Sequence, residues 1–244
     1  ADGTKKSISA PGVGNYLSMM KAVSLAQQLL GSNTVQNHSF VHAHGSSTPM
    51  NRTSEANLLT DVARHFNIKS WPLTAVKSYV GHPLAPASGD QLMSALGTFE
   101  HQIIPGIKTL DKVADDVDQS ILRIHQQDTD TSENPMQVAF LNAKGFGGNN
   151  ASAPLLSPHV VNSMLLKRHG AKAMADYQQR RTLVIKQAHA YDQKALKGQF
   201  EVIYRFGDAL LDEQDLSLGE DIRVAGFTKR IQLKVQHGLA DMCE

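Results

Sequence analysis

The sequence predicts an α/β layered domain followed by a smaller α+β segment. Three observations carry that reading. Two apolar runs too short for helices, 40–43 and 73–76, alternate with longer stretches of helical periodicity. A glycine-rich stretch, 145–148, separates two further short runs that read as paired strands. After Ser157 the pattern changes to one long basic helical stretch and then to alternating runs. A β-α-β-α rhythm closed by paired strands is what helices layered on a sheet produce.

The elements follow in order. Residues 16–30 place Tyr16, Met20, Val23, Ala26 and Leu30 at helical spacing, with Gly12 and Gly14 ahead and Gly31 as a C′ residue. Run 40–43 reads as a strand that stops at the tight turn His44-Gly45. Asn51 or Thr53 is expected to cap a second helix, on which Leu59, Val62, Ala63 and Phe66 share a face. Run 73–76 is a second strand leading into Lys77, and Gly81-His82-Pro83 is a turn. Pro86 suits the first position of a helix through Leu92, Leu96 and Phe99. Residues 126–135 read as a polar loop, 138–141 as a strand, and 151–155 as its return. Residues 160–196 read as helical, broken at Gly170, with alternating runs at 200–206 and 230–235 beyond. The expected division is therefore 1–157 and 158–244, the second part packing on the first as an appendage.

Composition limits the possible functions. With 41% apolar residues the chain can bury an ordinary core. Lys and Arg number 24 against 23 Asp and Glu, a formal charge of +1. That balance argues against nucleic acid or a membrane surface as the main partner, since either favours a basic excess. A single cysteine, Cys243, rules out an internal disulfide framework and fits a reducing, cytoplasmic compartment. No apolar run approaches the ~18 residues of a membrane span. The chain opens at Ala1 without Met and enters patterned sequence almost at once, which reads as a portion of a longer polypeptide.

Three motifs carry the chemistry: His44-Gly45-Ser46-Ser47-Thr48-Pro49, Lys77-Ser78-Tyr79-Val80-Gly81-His82, and Gly145-Phe146-Gly147-Gly148-Asn149. His44 and His82 each follow a predicted strand and sit beside glycine. Successive strand exits lie at one edge of a parallel sheet, where α/β proteins place their ligand sites. Neutral imidazoles there can donate N–H bonds to an oxygen that becomes negative in a transition state, worth typically about 3 kcal/mol for a donor in a dry site. Lys77 can set the charge of the imidazoles or polarise a carboxylate, and Glu55 is its candidate partner; an ordinary structural ion pair is the competing reading. Ser46 and Thr48 offer hydroxyls to an amide-bearing ligand, or are simply turn residues. Gly145, Phe146 and Gly147 belong to a loop whose backbone N–H groups can approach a ligand closely. A metal reading, His42-x-His44 with His82, is disfavoured: Gly45 breaks the strand, and no acidic residue flanks either imidazole to orient it. His42 then reads as an edge or packing residue. No metal and no cofactor is expected.

Together the motifs resemble the β-ketoacyl-acyl-carrier-protein synthases, condensing enzymes of the thiolase superfamily. His44 to Pro49 is similar to the family's His-Gly-Thr-x-Thr-Pro, and Lys77 to His82 to its Lys-Ser-x-x-Gly-His. Ala87-Ser88-Gly89 stands for the downstream Ala-Ala-Gly, and Gly145 to Asn150 for Gly-Phe-Gly-Gly-Thr-Asn. Ala10-Pro11-Gly12-x-Gly14 looks like the segment before a core helix. The resemblance covers roughly residues 1–156 and implies the C-terminal half of a thiolase-like layered fold, a mixed sheet with helices. It also implies a decarboxylative condensation of malonyl-carrier protein with an acyl thioester, in fatty-acid or polyketide synthesis. On it, His44 and His82 stabilise the enolate, Lys77 with Glu55 sets the charge near His44, and Phe146 N–H forms half of an oxyanion hole. Ser46 and Thr48 would bind the pantetheine arm. The implied partners are acyl carrier protein or coenzyme A thioesters, a missing N-terminal half, and a second copy in a homodimer.

Several positions depart from the family pattern. Ser46 replaces threonine, Asn51-Arg52 replaces the usual Gly-Asp, and Pro83 and Pro86 are unusual in the second-histidine turn. The extension after Ser157 is absent from compact fatty-acid enzymes and is similar to a longer bacterial variant. The nucleophilic cysteine of the family belongs to the other half of the fold, and Cys243 is not expected to replace it. The chain alone is therefore expected to be inactive. The rival readings are a non-catalytic module that binds carrier protein or a coenzyme A thioester, and a scaffold subunit paired with an active synthase.

Overall fold

The computed structural model describes residues 12–145, 148–199, 202, 204–208 and 210–233. By packing the chain forms two compact units, Ala1–Asp176 and Tyr177–Glu244.

The first unit is built on a five-stranded sheet. Its strands are β1 (Ser39–His42), β2 (Trp71–Thr74), β4 (Leu122–Ile124), β6 (Val138–Lys144) and β7 (Asn150–Leu156), in the order β4-β2-β1-β6-β7. The first four run parallel, and β7 returns antiparallel to β6 from Lys144↔Asn150 to Val138↔Leu156. A small two-stranded ladder, β3 (Ile103–Ile104) with β5 (Thr129–Asp130), lies outside this sheet. The expected mixed sheet with helices is thus present. β2 begins two residues earlier than expected and ends at Thr74. β3, β4 and β5, of two or three residues each, are too short to leave a periodic signal.

Strand β1 lies at the centre and all four of its residues are buried. Alternation splits them between two cores. Val41, with Val138, Phe140, Trp71 and Leu122, meets Met19, Val23 and Ala26 of α1 (Val13–Leu30) and Leu59, Val62 and Ala63 of α3 (Pro49–His65). Val35 of the short α2 (Ser32–Asn37) joins this core. Phe40 and Ala139 face the other way, onto Ala95 of α5 (Ala87–His101) and Ile104. Helices on both faces make a three-layer α/β/α arrangement. Trp71, Phe40, Phe140 and Met19 are wholly buried, each worth about 1.5–3 kcal/mol in removed apolar surface.

Helix starts differ from the sequence expectation by a few residues. Pro49 holds the first position of α3 and Thr48 its N-cap, so Asn51 and Thr53 lie inside the helix. Pro86 is the N-cap of α5 rather than its first residue. Lys77–Val80 forms a single helical turn, α4, so His82 follows a turn of helix rather than a strand. His42 is not at an edge: it pairs with Thr74 and Leu141 in the middle of the sheet.

Helix α6 spans Pro158–Leu196 and is interrupted at Gly170, whose backbone (φ 78°, ψ 166°) is not helical. The second unit carries a three-stranded antiparallel sheet, β8 (Leu216–Leu218), β9 (Asp221–Val224) and β10 (Ile231–Gln232), in the order β10-β9-β8. Of the alternating run 200–206, Val202, Tyr204, Arg205 and Phe206 are described and none is in a strand; Phe200, Glu201 and Ile203 lie outside the described residues. The run 230–235 contributes β10, with Lys234 and Val235 outside the described residues. Cys243 also lies outside them.

Candidate active site

His44 leaves the central strand through a backbone that only a small residue permits. Gly45 has φ +58°, and a Cβ built on it would lie 2.9 Å from Cβ of Ala75. Ser47 is also left-handed, at φ 56°. This turn delivers the chain to α3 so that Glu55, one turn and a half into that helix, points back under it. The Glu55 carboxylate is buried and accepts four N–H bonds. The backbone N–H of His44 donates to Oε1 at 2.7 Å and that of Gly45 to Oε2 at 3.0 Å. Asn51 Nδ2 donates to Oε2 at 3.1 Å and Asn142 Nδ2 to Oε1 at 2.6 Å.

Lys77 is buried and does not meet Glu55 as a direct ion pair. Its Nζ donates to the backbone oxygen of His44 at 2.6 Å. Cation and carboxylate instead clasp the same residue, one at its C=O and the other at its N–H. The sequence brings their charges into one neighbourhood, but Asn51, Asn142 and two peptide N–H groups fill the carboxylate's lone pairs first. Burial lowers the pKa of the Lys77 ammonium, opposed by the charges of Glu55 and Asp90.

The imidazole of His44 is oriented by the last residue of β6. The backbone N–H of Lys144 donates to His44 Nδ1 at 3.2 Å. A nitrogen that accepts a hydrogen bond carries no proton, so the neutral ring holds its proton on Nε2. Burial first, then the Lys77 ammonium, lowers the pKa of His44 to about 4; Glu55 opposes them, and His82 and Lys144 add to the lowering. His82 is held the same way: the backbone N–H of Leu84 donates to its Nδ1 at 3.1 Å, again leaving the proton on Nε2. The two rings meet edge to face, with centroids 5.2 Å apart and planes at 81°. Each ring thus keeps Nε2–H as its remaining donor, and the contact of His82 with His44 comes through the turn after α4, not through a strand exit.

Beside His44 lies a cleft of about 270 Å³, lined by His44, Lys77, Gln91, Lys144, Gly145 and Asn149, among others, with His82 outside its lining. Gly145 N–H closes the β6–β7 loop by donating to Asn149 O at 2.7 Å. Phe146 and Gly147 lie outside the described residues. Ser46 is half-buried and Thr48 exposed; the Thr48 side chain makes no capping bond to α3, so its hydroxyl is not committed there. His42 packs against Phe40, ring centroids 5.5 Å apart, on the α5 side of the sheet. Burial, then Lys77, lowers its pKa to about 3. Among the described residues no group of three or more His, Cys, Asp or Glu is disposed to hold a metal ion.

Sequence reasoning missed Gln91, Asn142 and Lys144 as residues that hold the site, and read Asn51 only as a helix cap and a departure from the family pattern. Gln91 Nε2 bridges the backbone oxygens of Ala43 and Asn142, both at 2.9 Å, tying α5 to the ends of β1 and β6. Asn142 exchanges amide bonds with Asn15 of α1, at 2.6 and 3.2 Å, while reaching Glu55. The signal available was polarity in the wrong place. Asn142 and Lys144 interrupt the apolar run of β6, and Gln91 lies on the buried row Ala87, Gln91, Ala95, Thr98 of α5.

A family model of the β-ketoacyl synthase C-terminal domain matches residues 2–111. The chain is 54% identical over 245 residues to the β-ketoacyl-[acyl-carrier-protein] synthase FabY of Pseudomonas aeruginosa. Over its whole length the chain resembles a β-ketoacyl synthase. The alignment takes in 100% of this chain and 38% of FabY, so the chain spans about two fifths of that relative's length. The crystal structure of the noncanonical ketosynthase FabY from P. aeruginosa superposes with a TM-score of 0.88 at 53% identity, covering 100% of this chain and 38% of that one. A ketosynthase from module 1 of the bacillaene synthase of Bacillus amyloliquefaciens gives a TM-score of 0.54 at 19% identity, over 64% of this chain and 28% of that one. That distant likeness concerns the fold alone. The fold is the thiolase-like ketosynthase fold.

Proposed function

We propose that this chain supplies the decarboxylating side of a 3-oxoacyl-carrier-protein synthase active site. The observation that carries the reading is the pair of imidazoles with Nδ1 occupied by backbone N–H and Nε2–H left to donate. The thioester oxygen of a malonyl group, bound between His44 and His82, would accept both. The bond from the malonyl Cα to the carboxylate breaks, its electron pair passes into the thioester as an enolate, and carbon dioxide leaves. The carbanion then attacks the carbonyl carbon of an acyl group held on a cysteine, whose thiolate departs. Two preorganised donors at the developing oxyanion lower that barrier.

Lys77 and Glu55 hold the peptide of His44 and set the charge around it. Ser46 and Thr48 would bind the pantetheine arm, and the loop of Gly145, Phe146 and Gly147 would supply the N–H for the acyl oxyanion. Malonyl-carrier protein and an acyl thioester of carrier protein or coenzyme A are the substrates in this reading. The cysteine comes from a complementary N-terminal half, and the whole works as a cytoplasmic homodimer. Residues 1–157 form the ketosynthase part and 158–244 an extension of separate role. By itself the chain is expected not to condense.

The test is decarboxylation of malonyl-carrier protein by the full polypeptide that contains this chain. His44→Ala should slow it by about 10²–10³-fold, the usual loss for one oxyanion donor. An unchanged rate removes the enolate role. Binding of carrier protein with no decarboxylation in the unmutated protein would assign a binding or scaffold role instead.

A further inference from the structure

Asn51 stands where the resembling family has glycine, and the structure gives that departure a partner. Lys144 Nζ donates to Asn51 Oδ1 at 2.8 Å and reaches Ser54 Oγ at 3.5 Å. Asn51 Nδ2 donates to Glu55 Oε2, Glu55 Oε1 accepts from His44 N–H, and His44 Nδ1 accepts from the backbone N–H of Lys144. The four residues therefore close a hydrogen-bonded ring through the end of β1, the first turns of α3 and the end of β6. We propose that Asn51 and Lys144 form a positioning pair for His44, fixing its ring and its Nε2–H tautomer through that closed circuit. The inference rests on the enolate role of His44 for its catalytic consequence but not for its geometry.

Two physical effects support the pairing. A circuit in which each member is held on both sides restricts the imidazole more than a single bond from a flexible loop does, because hydrogen bonds in a low-dielectric site reinforce one another. Lys144 is also a second ammonium beside Lys77. Burial lowers its own pKa, opposed by Glu55. The groups that face His44 are Glu55 from α3, Lys77 at the start of α4, His82 in the following turn and Lys144 from β6. Both lysines oppose a positive charge on His44, and Lys144 contributes less than Lys77. An imidazolium would carry a proton on Nδ1, directly against the Lys144 N–H. The cation and the backbone bond thus favour the same neutral tautomer.

Nitrogen-15 NMR of the histidines in this chain tests the pairing without any activity. Unmutated, His44 should show an acceptor-type Nδ1 and titrate near pH 4. Lys144→Met should raise that midpoint by about half a pH unit and blur the tautomer signature, since a nearby cation has been removed. Lys144→Gln keeps a donor for Asn51 without the charge; it should retain the tautomer but share the upward shift. Asn51→Ala should perturb the tautomer, and the Lys144→Met/Asn51→Ala double variant should add little to either single one. In the full polypeptide the acid limb of decarboxylation should move up with the NMR midpoint, where a merely structural role would scale the rate equally at every pH. An unmoved His44 midpoint in folded Lys144→Met and Lys144→Gln, or strictly additive effects, overturns the pairing. Absence of decarboxylation in the unmutated polypeptide overturns the proposed function, while the NMR titrations continue to decide the pairing.

Discussion

Glu55 is surrounded only by donors. Two peptide N–H groups and two side-chain amides converge on its two oxygens. An amide in its place would turn an NH2 towards two of those donors. Asn51 cannot rotate its amide to compensate, because its oxygen already accepts from Lys144. Nor can Asn142 do so freely, since its oxygen accepts from Asn15 and from Ser152 at 3.1 Å. Glu55→Gln should therefore destabilise the fold by about 2–3 kcal/mol, the range for losing hydrogen bonds to a charged group and stranding buried donors. Urea unfolding of the chain measures this; a midpoint within error of the unmutated protein would mean that the carboxylate matters only as a shape. Glu55→Asp is the control, since it keeps the acceptors and loses only reach. Activity lost in Glu55→Gln would then follow from a displaced His44 rather than from a missing catalytic group.

At the scale of elements, legibility tracked how local the determining contacts were. The His44-Gly45 turn was readable because an apolar run stopped at a glycine, and the left-handed φ there is what a glycine supplies. The row of α3 was readable from period alone, and that of α1 in part. On α5 period pointed to Leu92, Leu96 and Phe99, while Ala87, Gln91, Ala95 and Thr98 are the buried row and Leu92 and Leu96 are exposed. Asn142 and Lys144 were not readable, because their partners come from 87 and 93 residues away. The Arg52 departure is explained only by the fold: its guanidinium grips Asp116 at 2.8 and 2.9 Å, a residue in the loop before β4. The break in α6 was legible as Gly170, and its consequence can be tested. Gly170 has φ 78° and ψ 166°, a region open to essentially no other residue. Nothing lies within 4 Å of a Cβ built there, and in all of α6 only Val160 is buried. No packing therefore holds the break in place. Gly170→Ala should convert the segment to continuous helix, gaining about 1 kcal/mol of helix propensity at that position. Far-ultraviolet circular dichroism should deepen at about 222 nm, the helical band; a loss of helical signal would mean that the break is held by something other than glycine.

At the scale of the molecule, the surface of α1 is the informative feature. One side of the helix carries Met19, Ala22, Val23 and Ala26 into the core. Val13, Leu17, Leu25 and Leu29 lie on one row, interrupted by the exposed Lys21, and are each about half exposed. On α5, Leu92, Met93 and Leu96 are exposed as well. A helix that is apolar on both sides belongs in the interior of a larger structure, not at a water boundary. The same reasoning bears on His82, which is exposed although its Nε2–H is directed to a dry reaction in the proposed function. Water at that donor would weaken the stabilisation it can give an enolate, because the effect depends on a low-dielectric site. Covering surface from a complementary half would both bury the α1 row and dry the cleft. Alone at micromolar concentration, the chain should self-associate and bind an apolar fluorescent dye. Leu17→Ser with Leu25→Ser should reduce both, with little loss of folded stability because neither side chain is in the core. Sedimentation velocity reads the first and dye fluorescence the second. A monodisperse unmutated monomer that leaves the dye dark would mean that the exposed row is an ordinary surface, and the need for a covering half would have to rest on the cleft alone.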